Sequence, residues 1–412
     1  MAWAAKECVG EIVSVVAVTV ASLLGCVALI PLFVVDGVFL IETFLGLVKP
    51  RQTVLPVGPR PSIAMLMPAH DEAATLAAAG AMLHRLVAGG TRVVVVADNC
   101  SDDTAAVAQA AGCEVVVRCD PGLRGKGYAL SAGRDYLAGK PPDIVVVLDA
   151  DCSIDEPSLD LLARRAMACD CAVQAAYLFR HDARAPSNVQ ISNFAFLVKN
   201  LVRQRGARRL GAAAILTGSA MAFPWATIAT LDLATDNLVE DLSLGIALVR
   251  RQQAPVFEEA ATVWSDASNP AGTATQRSRW EHGFLTTAGQ FALPLLVTGA
   301  RQRDFRQFWL GAHLLVPPLS IVLTCNLIAV LLGAALAVLA SAPVPGVLAA
   351  TLLLLVALAV ICAWVSDGRQ TMHARVFAQI PGYLAWKIAI YARLITGRQP
   401  AAWTRTERIH RD

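Results

Sequence analysis

The sequence predicts an α/β fold with a mainly parallel sheet, flanked in the chain by long apolar helices. Three observations lead there. Between residues 61 and 150, aliphatic runs alternate with helical stretches. Those runs are near-continuous instead of alternating apolar and polar, as expected of parallel strands covered on both faces. Charge disappears over long stretches near both ends, and these are long enough to cross a bilayer.

The 412 residues suffice for one large domain or two ordinary ones. At 56% hydrophobic, with a mean hydropathy of +0.53, the chain is too apolar for an ordinary soluble enzyme. The net charge of +3 gives no reason to expect a nucleic-acid partner. The ten cysteines include a C-x-C at Cys169 and Cys171, but no second pair or histidine cluster lies at zinc-finger spacing. They read as reduced thiols of a cytosolic domain.

In chain order, "IVSVVAVTVASLLGCVALIPLFVV" (12–35) is uncharged and reads as a membrane span. Asp36 and Glu42 break the apolar stretch that follows, and Lys49, Arg51 and Arg60 come after it. The basic residues place the N-terminus outside and the following domain in the cytoplasm. "SIAMLMPA", "RVVVVAD", "CEVVVR" and "DIVVVLDAD" read as strands. "EAATLAAAGAMLHRLVAGG" closes on glycines, and "SDDTAAVAQAAG" is framed by Ser-Asp and Gly, so both read as helices. Residues 160–300 read as a less regular α/β continuation. Two further spans are expected within 308–340 and 344–365, followed by a stretch at 376–396 that is either interfacial or a third span, and an arginine-rich tail. The expected layout is an N-terminal span (1–48), a cytosolic domain (49–307, with 284–299 a candidate interfacial helix), a two-span hairpin (308–365), and an interfacial helix with basic tail (366–412).

Three strands end in acidic turns: "PAHDE" (68–72), "ADNCSDD" (97–103) and "LDADC" (148–152). Asp102 and Asp103 suit helix caps. Glu72, Asp98, Asp149 and Asp151 mark a polar crevice at the carboxyl edge of the sheet, where such folds bind ligands. An Asp-x-Asp there offers hard oxygen ligands to Mg²⁺ or Mn²⁺. "GLRGKG" (122–127) adds a glycine-rich turn with Lys126, suited to a pyrophosphate. "LVEDLSLG" (238–245) places Asp241 at a helix start, either as a general base or as a cap. "QRSRWEHG" (276–283) puts Gln276, Arg279 and Trp280 on one helical face, where the guanidinium suits a phosphate leaving group.

The ordered set Asp98, Asp149-x-Asp151, Glu240-Asp241 and Gln276-x-x-Arg279-Trp280 resembles the D, DxD, (T)ED, QxxRW signature of membrane-integrated family 2 glycosyltransferases. Cellulose, chitin and hyaluronan synthases belong to that group. The resemblance covers about 60–300 and implies a GT-A-like nucleotide-sugar-binding domain. It implies that Asp98, with Glu72 beside it, contacts the base. Asp149 and Asp151 would hold the diphosphate and its metal, and Lys126 would approach the phosphates. Thr217, Gly218 and Ser219 would lie on the acceptor side, bordered by Trp280. Asp241 would be the base, and Gln276 and Arg279 would support the pyrophosphate.

The implied activity is inverting, metal-dependent transfer of a sugar from a nucleotide-diphosphate donor, first of all a UDP-sugar. The implied acceptor is a lipid-linked or growing polysaccharide at the inner face of the cytoplasmic membrane. Membrane lipids, export partners or a second copy of the chain are the partners such an enzyme would meet. Processive synthesis coupled to export is the alternative, and a non-catalytic nucleotide-sugar-binding scaffold a lower one. The chain departs from the signature at Asn99, where many relatives carry a second Asp, and at "VED" in place of "TED".

Overall fold

A computed structural model describes residues 2–49, 58–182, 184–235, 237, 239–266 and 270–395. The predicted alternation holds. Helices α1 (Ala2–Ala28) and α2 (Ile30–Gly46) lead into β1 (Ile63–Ala69), α3 (Ala73–Ala88), β2 (Arg92–Asp98), α4 (Thr104–Ala110), β3 (Glu114–Arg118), α5 (Lys126–Leu137) and β4 (Ile144–Val147). After these come β5 (Cys152–Ile154), α6 (Glu156–Cys169), β6 (Val173–Phe179), α7 (Ser187–Leu197), a π-helical turn (Val198–Arg203) and α8 (Gln204–Arg209). Next are β7 (Met221–Pro224), α9 (Trp225–Ile228), α10 (Glu240–Arg250) and β8 (Val256–Ser265). The chain closes with α11 (Pro270–Gln302), α12 (Phe305–Leu315), α13 (Leu319–Ala340), α14 (Val344–Ala363) and α15 (Ile380–Ile395).

The eight strands form one sheet in the order β3-β2-β1-β4-β7-β6-β8-β5. β3, β2, β1 and β4 are mutually parallel, β6 pairs parallel with β8, and β7 and β5 run antiparallel to their neighbours. Successive residues of each parallel strand feed opposite cores. Met65, Met67, Val93 and Val95 pack on one face, and Ala64, Leu66, Val94 and Val96 on the other. This double burial is what the unbroken aliphatic runs encode. All three acidic turns leave the sheet at the carboxyl edge of its parallel half.

The apolar flanks are more articulated than their composition suggests. α1 and α2 meet at Leu29 with a bend of 43°. Pro31, in the first turn of α2, has no N–H to continue the preceding helix. The apolar run 308–340 divides into α12 and α13 at Val316-Pro317-Pro318, because proline disfavours helix both at itself and before itself. α12 folds back on α11, and residues 284–299 belong to α11, which runs unbroken for 33 residues. Among the described residues, three helices are long and apolar enough to cross a membrane, 277–302, 319–340 and 344–368, and the bent α1–α2 pair passes the same test together. The described part of α15 runs from Ile380 to Ile395.

α2 is joined to the sheet domain by backbone contact and by buried charge. A Cβ on Gly46 would strike the backbone of Val202, and one on Gly206 the backbone of Glu42. Glu42 is fully buried and accepts from Arg203 at 2.7 Å, from His313 at 2.8 Å and from Trp309 at 2.9 Å. Removing one partner from such a cluster would leave an uncompensated charge. The cysteine expectation needs one correction: Cys169 and Cys171 are bonded to each other across the turn after α6, where Asp170 adopts a left-handed conformation.

Candidate functional site

The turns after β1 and β2 are stitched to each other. Asp102 accepts from Thr104 N at 3.0 Å and from Ala73 N at 3.0 Å, so it caps two helices. Asp71 accepts from Ser101 N at 2.6 Å, and Glu72 N donates to Thr104 Oγ1 at 2.8 Å. Asp103 makes no side-chain cap. On this frame Asp98 meets Arg118 at 2.6 Å and Asn99 at 3.1 Å. Asn99 holds a positive φ of 52° and accepts from Asp120 N at 2.8 Å. It therefore shapes the turn instead of replacing a carboxylate.

Lys126 opens α5 after Gly125, so the helix N-terminus and an ammonium both face the crevice. Its Nζ lies 2.5 Å from Asp149 and 3.6 Å from Glu240, and donates to Gly218 O at 2.6 Å. Burial opposes that charge, but Asp149 and Glu240 outweigh it and hold the lysine above its usual pKa. Burial pushes Asp149 and Asp241 above the usual carboxylate range, with Lys126 pulling the other way, and it pushes Glu240 up to about 7.

Gly218 has φ +85°; a Cβ there would sit 3.2 Å from Asp241 Oδ2 and 3.4 Å from Lys126 Nζ. Only glycine lets the backbone pass so close to both. The Thr217-Gly218-Ser219 segment is held from below by Gln174 of β6, which the sequence did not single out. Its amide accepts from Thr217 N at 2.9 Å and donates to Ser219 O at 3.0 Å. Ser219 Oγ in turn accepts from Asp149 N at 3.1 Å.

Glu72, Asp98, Lys126, Asp149, Asp151, Thr217, Gly218, Asp241, Arg279 and Trp280 all line one cavity of about 470 Å³. Fully buried Ser219 lies just behind its wall. Arg279 is within electrostatic reach of Glu240 and Asp149, and Trp280 stacks on Phe196 at 5.8 Å. Gln276 lies on α11, but its side chain is outside the described residues. Asp241 Oδ1 accepts from Leu242 N at 2.8 Å, so the capping role foreseen for it is present in part.

The donor set suits a hard divalent cation. Ligand atoms of Asp149, Asp151 and Cys152 lie within 4.8 Å of one another. Burial keeps the Cys152 thiol protonated, leaving the two carboxylates as ligands. Asp149, Asp151, Glu240 and Asp241 share this cavity with Lys126, Lys199 and Arg279.

The family model described as "Glycosyltransferase like family 2" matches residues 59–283, more than half of the chain. The chain belongs to this family. An uncharacterised glycosyltransferase of Mycobacterium tuberculosis and its counterpart in Mycobacterium bovis are 45% identical to it over 76 residues, 18% of this chain and 32% of theirs. The chain thus spans about a third of the length of the curated relatives it matches. A mannosyltransferase from Pyrobaculum calidifontis, solved with GDP-Man and Mn²⁺, superposes with a TM-score of 0.50 at 16% identity, covering 85% of this chain and 98% of that one. That likeness bears out the GT-A-like α/β fold. Glucosyl-3-phosphoglycerate synthase from Mycobacterium tuberculosis, solved with Mn²⁺, UDP and glucosyl-3-phosphoglycerate, gives a TM-score of 0.38 at 21% identity over 57% of this chain and 84% of that one.

Proposed function

We propose that this family 2 member is a membrane-integrated, inverting glycosyltransferase of the synthase-like branch. It moves a sugar from a nucleotide-diphosphate donor, first of all a UDP-sugar, to a hydroxyl of a lipid-linked or growing polysaccharide acceptor. The reaction takes place at the inner face of the cytoplasmic membrane. The observation that carries this reading is the convergence at Gly218, where the carboxylate of Asp241 and the ammonium of Lys126 flank one point.

The chemistry follows from that placement. Asp241 takes the proton of the acceptor hydroxyl as its oxygen bonds to the anomeric carbon. The bond from that carbon to the diphosphate breaks, and Lys126 and Arg279 face the charge that develops. Asp149 and Asp151 would hold Mg²⁺ or Mn²⁺, which supplies further neutralisation of the diphosphate. With one base and no covalent nucleophile, the displacement is single and inverts the anomeric centre. Asp98 and Arg118 would frame the base of the nucleotide.

Asp241→Asn tests the division of roles. It keeps shape and hydrogen bonding but removes basicity. Transfer is expected to fall by about two to four powers of ten, while nucleotide-sugar binding measured by calorimetry stays near wild type. Unchanged transfer would reduce Asp241 to a helix cap, and collapsed binding would move it into the nucleotide site.

A further inference from the structure

The cavity continues past Asp241. Toward α2 and the α13–α14 hairpin its walls become aliphatic, with Val316, Leu319, Leu323, Val360 and Leu384. Between the acidic end and this apolar end stand three cations, Lys199, Arg203 and Arg277. Arg203 is matched by Glu42 at 2.7 Å. Among the described residues, Lys199 and Arg277 have no ion pair of their own. Glu281, the nearby carboxylate on α11, is taken by Lys387 at 2.8 Å and by Tyr391 at 3.0 Å.

Arg277 is 7% exposed. One of its N–H groups donates to Asn193 at 3.0 Å, and its Nε is buried without a partner. The rings of Phe179, Phe196 and Trp280 clasp the guanidinium at 4.4, 4.6 and 5.3 Å. Lys199 rises from the π-helical turn over the ring of Phe284 at 5.0 Å. Burial draws it down to about 8, with Asp241 and Glu281 attracting it and Arg203 and Arg277 repelling it. A buried guanidinium and a half-buried ammonium on one cavity wall are costly unless an anion meets them. Ser320 and Tyr383 are the polar side chains among these walls, which are otherwise apolar and suit a hydrocarbon chain.

We propose that the acceptor is a long-chain amphiphile whose headgroup carries a phosphate. The phosphate sits on Lys199 and Arg277, the chain lies between α2, α13 and α15, and the reacting hydroxyl is directed at Asp241. This rests on the transferase reading above and selects the lipid acceptor from the two it allows.

Binding to the full chain in detergent micelles tests it, with radiolabelled farnesyl phosphate as probe and farnesol and inorganic phosphate as competitors. Farnesyl phosphate is expected to bind about ten- to a hundredfold more tightly than farnesol, the range for hydrogen bonds to charged groups. Inorganic phosphate at equal concentration should not displace it. Lys199→Gln and Arg277→Gln should reduce its affinity toward that of farnesol, while Lys199→Arg keeps the preference. Equal binding of farnesol and farnesyl phosphate by the unaltered chain overturns the proposal without recourse to any variant. So does displacement by inorganic phosphate, or a preference that survives Lys199→Gln. Binding of UDP and GDP with Mn²⁺ to the same samples separates the two readings. Intact nucleotide binding without a phosphate preference overturns only the acceptor, and absent nucleotide binding overturns the transferase reading itself.

Discussion

The two ends of the cavity are built by different means. At the acidic end, Asp98, Lys126 and Asp149 each sit within a few residues of a strand or helix terminus, so the register of parallel strands sets their spacing. At the other end, Lys199 and Arg277 come from a π-helical turn and a long helix, beside a core to which α2, α7 and α14 contribute from distant parts of the chain. The first end is a product of local sequence on a rigid sheet; the second exists only once helices have packed. Substitutions at the first should therefore remove chemistry and leave folding intact, while those that touch supports should affect both.

The sharpest break is expected at the two carboxylates proposed to hold the metal, Asp149 and Asp151. Asp151→Ala should lower transfer by about three powers of ten or more, since a bound cation supplies several kcal/mol. Expression and membrane insertion should be unchanged, and excess EDTA should do the same to the unaltered protein. Full transfer in EDTA would remove the cation from the mechanism. Gly218→Ala comes next. It places a left-handed φ on a residue with a Cβ and pushes that Cβ toward Asp241 and Lys126. A cost of about 1–3 kcal/mol translates into a roughly five- to hundredfold slower transfer, read by turnover at saturating donor. If the rate holds, the loop has room that the geometry denies it. Gln174→Leu should act mainly on stability. It orphans Thr217 N–H and Ser219 C=O, each worth about 1–3 kcal/mol when buried. The melting temperature should drop by several degrees, and an unchanged melt would make the strap dispensable.

The same contrast explains what was legible in the sequence. β1, β2 and β3 were readable almost to the residue, because burial on both faces writes an unbroken aliphatic run; β4, read as 143–151, stops already at Val147. The acidic turns were readable because carboxylates at the end of such a run are conspicuous. Arg118 and Gln174 were not, although both lie on strands: a polar residue in a strand announces itself only when its partner's position is known. Lys199 and Arg277 had no local signal at all, since their importance comes from what does not pair with them. The apolar run 308–340 looked like one span because hydropathy averages over Pro317 and Pro318, whereas the backbone does not.

Glycine against backbone at Gly46 and Gly206 leaves α2 no freedom to slide along α8. A helix free to slip would let the site rise and sink against whatever anchors α1 and α2. Here the separation between the apolar helices and the carboxylates is a fixed length, so the molecule carries its own ruler: the depth at which α2 sits sets the height of the Asp241 carboxylate.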